Sequence, residues 1–224
     1  MKIRNGFVSN SSSSSFLIIY KSLKDFCKFE MFECFETFYN DLKKENPKSA
    51  INHIKVIIDS ALYRFYDKME MFMFLDTDND IFDLLEMADV SYDEYKRIQD
   101  KIMDLGHAYH EKVFTEHPEV RDICINAHGN YYLFLNSDQN EFIMKCQKEY
   151  MDSYYDETFQ KDLDDDIAEL AKKVHDGLTK KGYKIRSLRY EDHSSTGYLM
   201  EQGFMPFLER NPERQYEIFT TNEH

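Results

Sequence analysis

The stretch of this chain richest in reactive side chains is RYEDHSSTGYLMEQG, residues 189–203, where Glu191, Asp192, His193, Ser194, Ser195, Thr196, Gly197 and Glu201 fall within eleven residues. An imidazole flanked by carboxylates and hydroxyls has the parts of a general base whose pKa its neighbours can tune. Successive side chains on a strand point to opposite faces, so His193 and Ser194 are not a catalytic pair by adjacency. Asp, Ser, Thr and Gly are also what a turn between strands uses. His193, Asp192 and Glu201 stand as candidate catalytic residues, with a turn as the competing account.

A second cluster is GHAYHEKVFTEH, residues 106–117. On a helix His107, His110 and Glu111 lie at i, i+3 and i+4 and project from one face. They are candidate metal ligands, but the spacing is not HExxH and no further ligand is evident. The favoured account is an exposed polar helix face near its C-terminus, where His is locally favourable. In DTDNDIFDLLEM, Asp76, Asp78 and Asp80 occupy the first three ligand positions of a calcium loop. Ile81 then stands where glycine is required and Met87 where a bidentate Glu is required, so the match fails. No cofactor is implied by any motif.

The third feature is KIRNGFVSNSSSSSFLIIY, residues 2–20. A serine run is ordinarily a flexible linker, yet here Gly6-Phe7-Val8 and Phe16–Tyr20 bracket it, and both flanks call for burial. A loop over Ser9–Ser15, held at a sheet end, would present hydroxyls and amides to an anion. Ser11, Ser12 and Ser13 with Lys2 and Arg4 are the candidate anion-binding residues. The alternative is an ordered turn. The same residues, Lys2, Arg4, Gly6 to Asn10 and the serines closed by Phe16, resemble the N-terminal signature of a scattered group of uncharacterised proteins encoded by bacteriophages and bacteria. The resemblance covers about a tenth of the chain, and it implies a phage-related accessory protein working in a bacterial cytoplasm. It carries over no catalytic residue.

A chain of 224 residues with 42% hydrophobic and 15% aromatic content suffices for a sizeable core. Only 7 Gly and 4 Pro favour long helices. The pattern predicts strand, loop, strand over 1–20 and a helical region over 21–118. Within that region one helix is expected from Leu23 to Asn46, another from Ser49, a short one over Ile81–Met87, and a long one opened by a Ser91/Glu94 capping box. Tyr95, Ile98, Ile102, Leu105, Tyr109 and Val113 form the apolar stripe of the last. Over 119–137 the period changes to two, and Ile123–Ile125 and Tyr131–Leu135 around His128-Gly129-Asn130 read as a β-hairpin. Helices return over 138–181, stopped by Gly182, and 182–224 reads as C-terminal strands, YKIRSLRYED and QYEIFTT among them. The expectation is a single α+β domain, a small and mainly antiparallel sheet covered by long helices.

The net charge of −14 is concentrated: nine acids and no Lys or Arg between Glu70 and Glu94, and eleven acids against three lysines between Asp138 and Glu169. Cations collect at Lys2, Arg4, Lys21 and Lys24 and again from Lys172 to Arg189. That field opposes nonspecific binding to duplex nucleic acid. The longest early apolar run, Phe16–Tyr20, is too short for a signal-peptide core or a membrane span. Four cysteines without CxxC spacing suggest neither zinc nor a disulfide framework. The first functional expectation is a non-enzymatic module that binds a host or phage protein through its acidic helical faces. The second is a hydrolase or transferase on a phosphate-bearing substrate that uses the serine loop and the Asp192-His193 segment.

Overall fold

The computed structural model describes residues 13–30, 34–68, 79–126, 135–154, 156–191 and 216–223. The fold is α+β. β1 (Ser13–Tyr20) is the middle strand of a three-stranded sheet in the order β2-β1-β3, with β2 at Lys184–Glu191 and β3 at Tyr216–Glu223. Both neighbours run antiparallel to it, with Leu17 opposite Ser187 on one side and Phe219 on the other. Strands far apart in sequence therefore meet on the apolar run that follows the serines. Phe16, Leu17, Ile18, Ile19 and Tyr20 are all 0% exposed, so both faces of β1 are covered.

The expected loop over Ser9–Ser15 is corrected by this pairing. Ser13, Ser14 and Ser15 are strand residues, paired with Glu191, Tyr190 and Arg189 on β2 and with Glu223, Asn222 and Thr221 on β3. Serine has little β-propensity of its own. Two flanking strands supply the ladder, and small side chains let them approach.

The helix expected from Leu23 to Asn46 is broken into a 3-10 helix at Leu23–Phe29 and α1 at Phe35–Lys43. Phe26 and Phe38 decide this. They are twelve residues apart, about 18 Å along a straight helix, yet both enter one core with Phe16, Ile18, Tyr20 and Leu42, with their ring centroids 5.6 Å apart. Burying both on one sheet face forces the chain to turn back on itself. Asn46-Pro47, expected only as a stop, also starts α2 (Pro47–Lys68): the Asn46 side-chain oxygen accepts from the Ser49 N–H at 3.1 Å, and Pro47 takes the first helical position.

α3 (Asn79–Ala88) and α4 (Tyr92–Glu116) follow the expected pattern. Ser91 caps α4 by accepting from the Asp93 N–H; of the expected stripe, Tyr95, Ile98, Ile102 and Val113 are buried while Leu105 and Tyr109 are half-buried. The expected hairpin is corrected in its first arm, because Ile123–Ile125 belong to α5 (Pro118–Asn126). Pro118 at the first helical position and Glu119 in the first turn start a helix there, and a short apolar run cannot choose its own period. Val120 holds the helix down, buried with Val113, Ile143 and Cys146. Of the second arm, 131–134 lie outside the described residues, and Leu135 stands two residues before α6 (Ser137–Tyr154).

α7 (Glu157–Lys180) is capped by Asp156, whose carboxylate accepts from the N–H groups of Thr158 and Phe159. It ends where expected. Gly182 adopts φ +82°, its N–H bonds the Thr179 carbonyl, and the Tyr183 N–H reaches back to Leu178, the pairing of a Schellman motif.

The chain comprises two compact units. The first comprises Met1–Ile57, Met87–Asp89 and Lys172–His224 and holds the sheet; the second comprises Ile58–Glu86 and Val90–Ala171 and is helical. Among the described residues no helix is long and apolar enough to cross a membrane.

Candidate functional site

In the sheet-bearing unit the polar side chains sit between helix and strand. Arg186 of β2 is 8% exposed, and its Nε donates to the Leu42 carbonyl at 2.8 Å. Its Nη1 donates to the Ile185 carbonyl at 2.8 Å and its Nη2 to the Glu45 carboxylate at 3.0 Å, while the guanidinium lies 5.8 Å from the centre of the Tyr20 ring. The Tyr20 hydroxyl also donates to the Leu42 carbonyl, at 2.8 Å. Leu42 lies in the last turn of α1, where carbonyls have no partner within the helix, so Arg186 and Tyr20 together close that helix end. Tyr190 donates to Asp41 at 3.0 Å, and burial followed by the Asp41 charge pushes its phenol well above the ordinary range. Arg186 is one of the cations that collect between Lys172 and Arg189, and its donors are committed to the fold.

On the opposite face of β2, His53 of α2 places Nδ1 2.9 Å from the Ser187 hydroxyl. The residue is 5% exposed, and burial lowers its pKa to about 4. A serine and a histidine at this distance have the geometry of an activated nucleophile. An imidazole so reluctant to take a proton is a weak base at neutral pH, and so little of it reaches the surface that a substrate has no approach to it. The pair ties α2 to the sheet. The sequence signal for it is modest: His53 shares one helix face with Ala50, Ile54 and Ile57, all buried.

In the helical unit the seam between α4 and α6 is polar at one end. The Tyr109 hydroxyl donates to the Glu149 carbonyl at 3.1 Å and lies 2.6 Å from the Ser153 hydroxyl, and Lys112 pairs with the Glu149 carboxylate. That contact raises the Lys112 pKa and lowers that of Glu149. At the other end Asn136 and Gln139 form a reciprocal cap on α6, and Gln139 goes on to donate to Glu119 at 2.8 Å. The Gln139 bond is the main reason the Glu119 carboxyl falls to about 2. Its 136/139 spacing was available in the sequence and was missed there.

Of the candidate metal ligands, His107 and Glu111 are exposed and His110 is half-buried on α4. The two imidazole centroids are 6.1 Å apart, and His110 leans toward Phe114 at 6.3 Å. Burial, then the neighbouring His107, lowers the His110 pKa to about 4. Among the described residues no three His, Cys, Asp or Glu side chains converge as metal ligands. Lys2, Arg4, Ser11 and Ser12 of the anion candidate lie outside the described residues, as do Asp192, His193 and Glu201 and also Asp76 and Asp78; Ser13 is in β1.

The acidic stretches have a definite placement. On α7 Leu163, Ile167, Leu170, Ala171, Val174 and Leu178 are buried, while Asp162, Asp165 and Glu169 are exposed on the other side of the helix. Asp166, between the two sides, pairs with Lys101 of α4. Asp83, Glu86, Asp89 and Asp93 are exposed along α3 and the start of α4. Such a face can attract a cationic surface. Comparison of the chain with protein-family models, with curated proteins and with solved structures returns no match.

Proposed function

We propose that the protein is a non-enzymatic binding module of phage type that engages a basic surface on a host or phage protein in the bacterial cytoplasm. The observation that carries this reading is the exposure of Asp162, Asp165 and Glu169 on the side of α7 away from its apolar stripe. Helix spacing sets them at i, i+3 and i+7 on one face. Like charges gathered on a surface speed and orient encounter with a complementary partner.

The test uses the full chain and the triple variant Asp162→Lys, Asp165→Lys, Glu169→Lys. Proteins captured from infected cells at low salt and identified by mass spectrometry are expected to dissociate as salt rises, since exposed charges are screened over about 10 Å at 0.1 M. The variant is expected to unfold at the same temperature and to lose those proteins. Retention of the same proteins by a folded variant would overturn the proposal. The rival reading, phosphate chemistry at the serine segment and His193, makes a different demand: inorganic phosphate or a nucleotide must shift the His193 ring resonances and the Ser9–Ser15 amides in one NMR titration.

A further inference from the structure

We draw no further inference here: the strongest candidate, the outer edge of β2, where exposed Lys184 and Arg189 would suit an added acidic strand, carries nothing, because edge cations equally serve to repel strand addition and nothing among the described residues shows what covers that edge.

Discussion

The sheet-bearing unit and the helical unit hold their polar groups in opposite ways. Around the sheet, Arg186, His53, Tyr20 and Tyr190 are buried or nearly so, and their partners are distant in sequence: 144 residues separate Arg186 from Leu42, and 134 separate His53 from Ser187. In the helical unit the ion pairs Lys101–Asp166 and Lys112–Glu149 are between a third and a half exposed, while the caps are local. Buried polar groups are costly to orphan, whereas exposed pairs contribute little because water replaces them. The sheet unit should therefore be brittle to single polar substitutions and the helical unit tolerant of them.

The largest expected effect is at Arg186. Arg186→Ala removes two donors from interior carbonyls and the guanidinium beside the Tyr20 ring, and should lower the free energy of unfolding by about 3 kcal/mol. Lys112→Ala in the helical unit, which removes a partly exposed ion pair, should leave it nearly unchanged. Urea denaturation of both variants checks the contrast, and equal losses would break it.

Acid should separate the units next. His53 has its folded pKa lowered to about 4 from 6.5. Its neutral form is favoured by the fold, so its contribution is complete above pH 6.5 and is lost as pH falls through that value toward 4, by roughly 3 kcal/mol in all. His110 titrates over the same window. Being half-buried, it should contribute a smaller slope, since water screens its charged form. Stability measured from pH 7 to 4 should lose most of its slope in His53→Gln and less in His110→Gln; the reverse order would place the acid-sensitive packing in the helical unit.

Gly177 of α7 tests backbone packing rather than polar packing. A Cβ there would stand 2.1 Å from the Ala88 carbonyl oxygen, so Gly177→Ala must push two backbones apart. A loss of about 2 kcal/mol is expected from such overpacking, despite the better helix propensity of alanine. A melting temperature unchanged by the substitution would show that the contact relaxes freely. In the helical unit, Asn136→Ala removes one side of the cap on α6 and should cost about 1 kcal/mol in thermal unfolding. A loss as large as that of Arg186→Ala would mean that local caps, rather than long-range anchors, set the stability.

Much of the helical content was legible because its information is local. The Ser91 cap, the Tyr95–Val113 stripe and the stop at Gly182 need only neighbours within a turn or two, and the structure places each where the pattern does. Failures came where a short segment had two admissible periods. Ile123–Ile125 alternate like a strand, and Pro118 and Val120 make them a helix; Leu23–Asn46 repeats like one helix, and the need to bury Phe26 beside Phe38 breaks it.

For the candidate site the division is the same. The charge map, the run of apolar residues after the serines, and the strand character of 184–191 can be read from the chain alone, because these are properties of composition and of nearest neighbours. Only the tertiary structure decided that Ser13–Ser15 extend a central strand, that Arg186 closes a helix rather than facing solvent, and that His53 meets Ser187. The reason is physical: which strands pair, and hence which polar groups lose water together, depends on contacts between residues far apart in the chain, and no local periodicity encodes the identity of the partner.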